Sequence, residues 1–330
     1  VTRAIVARAP TRLDFGGGWT DVPPYCEREG GAVCNIAITR FATATVALPE
    51  RDTHHLGEHV PTADPLVAAA LRRADLPGAS GSIRTDYPAG AGLGGSSACG
   101  VALAGALAAL RGEEVAPDVL AARSRATEVE ELGVAGGFQD HYASAFGGAL
   151  LLTFSDCVGV ETLSVPENCA VDLARRGVLV YTGESRLSGG IITAVTDAYE
   201  RGDARTHAAL ARMKALAGEM AASLRRGDLD ELGRLVGEHW VHQRQLHSSI
   251  STPRIEAIVR AAASSGALGV KALGASGGGC VLAIASDGRE DELARALTPF
   301  GERLSYAVDQ QGFQIVAVLD EHHDSAEHES

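Results

Sequence analysis

The chain has 330 residues, of which 45% are hydrophobic and 22% charged, the make-up of an ordinary soluble globular protein long enough for two modest cores. A formal net charge of -13 disfavours nucleic acid and anionic membranes as partners, because both demand a basic face. No apolar run is long enough to span a bilayer, and six cysteines without a C-x-x-C pair predict reduced thiols in a cytoplasmic protein, not a disulfide framework or a zinc site.

The start, Val1-Thr-Arg-Ala, is expected to carry no secretory segment. Residues 3–10 and 31–48 read as strands, the second ending in β-branched alternation over Phe41–Leu48. His54, His55 and His59 fall in a polar loop, and Pro65 to Ala74 reads as a helix. Ser82 to Tyr87 alternates and carries charge, as a half-exposed antiparallel strand does. A helix is predicted from Ala98 to Leu110, and another from Pro117 to Leu132, with Pro in its first turn and Gly133 at its end. Ala149–Phe154 is a strand. After Pro166 the texture changes. A short buried strand at Gly177–Gly183 precedes amphipathic helices between Gly190 and Ser265, then strands near Leu268–Leu273, Cys280–Ala285 and Phe313–Leu319. Strands and helices mix without a regular βαβ repeat, so the class is α+β, with units 1–175 and 176–320 and a polar tail at 321–330.

One segment narrows the chemistry. Pro88-Ala-Gly-Ala-Gly-Leu-Gly-Gly-Ser-Ser-Ala98 runs straight into an alanine/leucine helix. Its glycines let successive N–H groups converge on one point, and the opening of the helix favours an anion there. The hydroxyls of Ser96 and Ser97 add hydrogen bonds to a phosphate or a ligand to a metal. The same residues contain G-x-G-x-x-G, but a dinucleotide site follows a buried parallel strand, and the preceding segment is charged and alternating. A Walker loop needs Lys where Gly95 stands. A merely structural turn does not account for four glycines and paired serines at one helix start.

The segment resembles the central motif of the GHMP small-molecule kinases (galactokinase, homoserine, mevalonate and phosphomevalonate kinases), P-x-x-x-G-L-G-G/S-S-S-A. Arg8-Ala-Pro-Thr-Arg-Leu-Asp-Phe-Gly-Gly-Gly-Trp-Thr-Asp21 is similar to that family's sugar-kinase signature, and Lys271-Ala-Leu-Gly-Ala-Ser-Gly-Gly-Gly-Cys280 to its third motif. Gly30-Gly-Ala-Val-Cys-Asn35, Gly137-Phe-Gln-Asp140, Tyr181-Thr-Gly-Glu-Ser-Arg186 and Trp240-Val-His-Gln-Arg-Gln-Leu246 extend the resemblance toward the heptose 7-phosphate kinase and fucokinase branch. It implies an N-terminal mixed α/β domain that binds ATP and a C-terminal ferredoxin-like α+β domain. It also implies phosphoryl transfer from ATP with Mg2+ to a hydroxyl, the anomeric one, of a sugar or sugar phosphate; a cyclitol is a related acceptor. A homodimer is compatible with the sequence. A GHMP-fold binding protein without catalysis is the competing class, and retention of Asp140, Arg12, Ser97 and Glu128 argues against it.

The resemblance also implies roles. Asp140 matches the catalytic aspartate, with a helix N-cap as its alternative, and Arg12 its charge partner, with a surface salt bridge as its alternative. Pro88, Gly90, Gly92, Leu93, Gly94, Gly95, Ser96, Ser97 and Ala98 match the nucleotide-binding segment. Ser97 and Glu128 match the magnesium ligands, with Glu130 and Glu131 close enough to compete. Gly17, Gly18, Trp19, Thr20, Asp21, Gly137, Gly277 and Gly278 match sugar-binding segments, with Asp21 placed to accept from two vicinal hydroxyls and Trp19 to pack on a sugar face. Lys271, Arg186 and Arg244 are the cations available to a phosphorylated substrate, with ordinary surface charge as the competing reading. Ser276 and Gln243 stand where the family has Gly and Lys. His239 and His242 share a helix face at metal-like spacing but lack a third ligand.

Overall fold

Two long apolar strands organise the first half of the chain. β1 (Thr2–Gly16) and β2 (Gly31–Leu48) pair antiparallel along most of their length, joined through the short helix α1 (Tyr25–Glu29). The structure, a computed structural model, describes residues 2–48, 63–184 and 189–321. Arg186, the loop histidines 54, 55 and 59, and the tail from 322 onward lie outside the described residues.

Helix α2 (Pro65–Ala74) starts where Asp64 accepts from the N–H groups of Leu66 and Val67, with Pro65 in the first turn. β3 (Ser80–Thr85) then pairs with the second half of β2, as its alternation predicts. α3 (Gly95–Leu110) is apolar on all sides and buried between β1, β2 and later helices. The helix predicted from Pro117 to Leu132 is divided. α4 (Pro117–Ala126) gives way to a wider π turn at Thr127–Glu131. That widening carries Glu128 inward, to polar partners on neighbouring helices, as π turns often do at functional sites. α5 (Gln139–Phe146) leads into β4 (Ala149–Phe154), which pairs with the first half of β2, and β5 (Val158–Leu163) extends that edge.

After α6 (Glu167–Arg176) and β6 (Gly177–Tyr181) come four helices, α7 (Gly189–Glu200), α8 (Ala204–Arg226), α9 (Leu229–Gln243) and α10 (Pro253–Ser264). β7 (Ala267–Ala272), β8 (Cys280–Ala285), α11 (Glu290–Leu297), β9 (Glu302–Arg303) and β10 (Gln314–Glu321) finish the described chain. Among the described residues the second sheet runs β7-β8-β6-β9, antiparallel throughout. That is the strand order of a ferredoxin-like plait, so the fold is α+β as the sequence implies.

Two expectations change. A boundary near residue 175 assigns the last strand to the second unit, but β10 pairs with β1 and closes the edge of the first, six-stranded sheet. Nor do the cores stay separate: besides one cluster in the first unit and one mainly in the second, a third is shared. Leu13, Phe15 and Ile36 of the first sheet pack in one cluster with Met220 and Leu224 of α8 and with Leu282 and Ile284 of the second sheet. α8 covers the face of β1 and β2 that α3 leaves open, so one apolar layer joins both units. No helix among the described residues is long and apolar enough to cross a membrane.

Candidate active site

A cavity of about 490 Å3 opens where the three glycine-rich segments meet. Its walls are the 88–97 loop, Arg12, Asp14 and parts of the 18–22 turn, the 134–137 loop with the start of α5, and Leu273–Ser276 with Gly278. Backbone bonds knit these segments together. The Arg12 N–H donates to the Leu93 carbonyl at 3.0 Å, and the Cys280 N–H donates to the Ala91 carbonyl at 2.7 Å. Tyr87 braces the loop from behind, its hydroxyl donating to the Gly95 carbonyl at 2.8 Å. The first N–H groups of α3 have no acceptor within the helix and open toward this space, the electrostatics of an anion cradle.

Asp140 lies in the first turn of α5, while Phe138 holds the N-cap position, so the carboxylate is not a cap. Arg12 Nη2 stands 2.7 Å from Asp140 Oδ1, and Arg12 Nη1 donates to the Gly92 carbonyl at 2.8 Å. The arginine side chain is 3% exposed and the aspartate 28%, so Arg12 is a buried tie and not a surface bridge. Asp140 keeps a face on the cavity. Gly94, at φ 74, fits closely beside it. A Cβ there would stand 2.9 Å from Asp140 Cγ.

Glu128, delivered by the π turn, meets the start of α3. Its Oε1 accepts from Ser96 Oγ, and its Oε2 lies 3.3 Å from Ser97 Oγ and 3.1 Å from His141 Nε2. Burial by itself raises this carboxyl's pKa; the hydrogen bond and charge of His141 and the two serine hydroxyls outweigh it and hold the group below its ordinary value. Glu130 and Glu131 instead face Arg73 and Arg72, away from the cavity. Carboxylate and hydroxyl oxygens beside a phosphate cradle suit a hard divalent cation. Among the described residues no group of three or more His, Cys, Asp or Glu side chains forms a metal cage.

Asp21 lines the cavity, but its Oδ2 accepts from the Phe138 and Gln139 N–H groups at 2.8 and 3.0 Å. It therefore anchors the entry to α5, and one oxygen of the expected diol acceptor is already engaged. Burial pushes its pKa up to about 6, with the neighbouring charges of Asp140 and Asp14 adding to the effect against the two backbone donors. Gly137 lets this contact form: a Cβ would stand 2.0 Å from Asp21 Oδ2. Gly18 and Trp19 also line the cavity. Gly17 and Thr20 do not. Gly17 donates to His239 Nε2 at 3.0 Å, and Thr20 Oγ1 donates to the Gly17 carbonyl, so both shape the turn from beneath.

Lys271 corrects its expected role as a cation for substrate. It is fully buried, its Nζ lies 3.0 Å from Asp14 Oδ2 and 3.3 Å from the Phe15 carbonyl, and it is absent from the cavity wall. Burial lowers its pKa, and Asp14 opposes that shift. Gly278 reaches the cavity, whereas Gly277 donates to the Ile250 carbonyl and does not. Arg244 stands off the cavity beside Glu256. His239 is buried, and burial together with the Lys271 charge holds it well below its ordinary pKa. The two departures noted in the sequence meet each other: Gln243 Nε2 donates to Ser276 Oγ at 2.9 Å, supporting a serine at φ 67.

Sequence reasoning missed His141, Asp14 and Tyr87 at this site. His141 directly follows Asp140, and Asp14 stands two residues beyond Arg12 on the same strand, hence on the same face. Those offsets were the available signals.

Residues 63–148 match the family described as GHMP kinases N terminal domain, and residues 220–302 match GHMP kinases C terminal. The chain is 27% identical over 321 residues to the D-glycero-alpha-D-manno-heptose 7-phosphate kinase of Campylobacter jejuni, covering 89% of this chain and 93% of that one. It is 28% identical over 361 residues to the L-fucokinase/L-fucose-1-P guanylyltransferase of Bacteroides fragilis, covering 93% of this chain but spanning only 38% of that protein's length. The crystal structure of a D-glycero-D-manno-heptose 1-phosphate kinase from Bacteroides thetaiotaomicron superimposes with a TM-score of 0.75 at 23% identity, over 97% of this chain and 100% of that one, a likeness of fold. With both family halves in order around one cavity where the three glycine-rich segments converge, the chain belongs to the GHMP kinases and is an ATP-dependent kinase.

Proposed function

We propose that this kinase transfers the γ-phosphoryl group of ATP to a sugar hydroxyl, the anomeric one, of an acceptor in the heptose 7-phosphate class. The observation that carries the reading is the Arg12–Asp140 pair at 2.7 Å, open to a cavity floored by the 88–97 loop. Asp140 accepts the proton of the attacking hydroxyl, and Arg12 keeps that carboxylate oriented while its charge faces the transferring group. The 88–97 backbone and the start of α3 receive the nucleotide phosphates. Ser97 and Glu128 supply oxygen ligands for Mg2+, which when bound neutralises charge on the β- and γ-phosphates. A relative of nearly equal length that is named a heptose 7-phosphate kinase supports the acceptor class. ATP chemistry of this kind fits a cytoplasmic setting.

A fucose-type acceptor is the second reading, and one observation favours it. Among the described residues Arg12 is the only Lys or Arg that lines the cavity, and it is tied to Asp140, while Trp19 offers an apolar wall to a deoxy sugar. The deciding experiment is ADP release from Mg-ATP across heptose 7-phosphates, free heptoses, fucose, galactose and a cyclitol phosphate. Selective turnover of a heptose 7-phosphate supports the first reading and selective turnover of fucose the second. ATP binding without turnover of any sugar would overturn both.

A further inference from the structure

His141 is 2% exposed, is absent from the proton transfer described above, and sits between two helices at the edge of the cavity. Its ring touches three polar groups drawn from three different elements. Nε2 lies 3.1 Å from Glu128 Oε2 of the π turn and 3.3 Å from Ser97 Oγ of α3; Nδ1 lies 2.9 Å from Ser124 Oγ of α4. A carboxylate only accepts, so Nε2 carries the hydrogen that faces Glu128, and Nδ1 shares a second hydrogen bond with the Ser124 hydroxyl. Ser124 can stand there because Gly100 faces it: a Cβ at that position would lie 2.3 Å from Ser124 Oγ.

We propose that His141 is a positioning residue that fixes the Glu128 carboxylate for cation binding, with Ser124 holding the ring from behind. The inference rests on the reading of Glu128 and Ser97 as cation ligands. A carboxylate on a π turn has rotamers that point away from the serines, and the His141 donor on Oε2 selects the inward one, in which the hydroxyls of Ser96 and Ser97 also reach the carboxylate. Because His141 and Asp140 are neighbours on the first turn of α5, the same turn sets the geometry of the cation ligand and of the proposed base.

Mn2+ alone, and Mn2+ with a non-transferable ATP analogue, can be titrated into the full chain and the free ion read by electron paramagnetic resonance. His141→Leu is expected to weaken Mn2+ affinity about 10–100-fold, the usual consequence of losing a partner behind a metal ligand. His141→Gln, whose amide can still donate to Glu128, should recover most of it. His141→Asn, polar but too short, should behave like leucine and serves if the leucine variant does not fold. The apparent KM for the sugar at saturating cation should stay within about twofold, which separates a cation defect from a general one. Wild-type Mn2+ affinity in His141→Leu or His141→Asn overturns the proposal, as does an equal loss in the Gln variant. Glu128→Gln is the control that separates the two claims. If it leaves Mn2+ affinity intact, the ligand reading itself fails; if it abolishes binding while the His141 variants keep it, only the positioning role fails.

Discussion

Replacing Lys271 with methionine removes the cation from a pair that is almost wholly buried. Lys271 is 0% exposed and its partner Asp14 3%, with Nζ and Oδ2 at 3.0 Å. Methionine fills most of the same volume, so the perturbation is electrostatic: Asp14 is left charged and uncompensated at the base of the cavity, facing Gly18. Breaking one side of such a pair costs about 3–5 kcal/mol. With an unfolding entropy of about 2.1 cal/mol/K per residue, the 330-residue chain has about 0.7 kcal/mol/K in total, so the loss corresponds to a Tm lower by about 4–7 °C. Calorimetry on the wild type, Lys271→Met, Asp14→Asn and the double variant measures this directly. The double variant should regain more than half of the loss, because no unpaired charge remains buried. A single-variant drop below about 1 °C, or a double variant no better than the single, would refute the claim that this pair is buried and coupled.

Asp140→Asn should lower turnover by about 10²–10⁴-fold while nucleotide affinity stays near wild type, read by ADP release and by nucleotide titration; full activity in this variant removes Asp140 from the chemistry. Gly94→Ala forces a side chain into a left-handed backbone conformation beside Asp140, so stability should fall by about 1–2 kcal/mol and turnover should fall with it. An unchanged kcat would show that the approach of Gly94 to Asp140 does not matter. Asp21 has a folded pKa of about 6 against 3.8, so the folded state binds the extra proton and the stability contributed by this group falls as pH rises from about 4 to 6. Asp21→Asn keeps an acceptor for the two N–H groups and loses that titration. Its Tm relative to wild type should therefore climb across that window by the equivalent of up to about 3 kcal/mol, and a flat difference would contradict the assignment.

Much of this fold was legible because it depends on neighbours in sequence. Alternation predicted a strand over residues 41–48 and an antiparallel one over 82–87, and Pro117 marks a helix start. The glycine-serine segment specified an anion cradle by its own backbone freedom and its place at a helix start. Spacing alone could not break the ambiguity among Glu128, Glu130 and Glu131, because a π turn, not an α turn, decides which of them points inward.

The sequence by itself determined most of the longer elements, the cradle and the family resemblance, all of which are written in local pattern. Only the tertiary structure decided which charges are buried and with whom. Lys271 reads as a surface cation until it is found 257 residues from its partner Asp14, sealed between the two sheets. Gln243 and Ser276 look like two unrelated departures until one is seen to donate to the other. The last strand returns to the first sheet, and Asp21 turns from the expected sugar contact into an anchor for α5. In each case the deciding quantity is desolvation plus a partner remote in the chain, and neither can be read from the residues on either side.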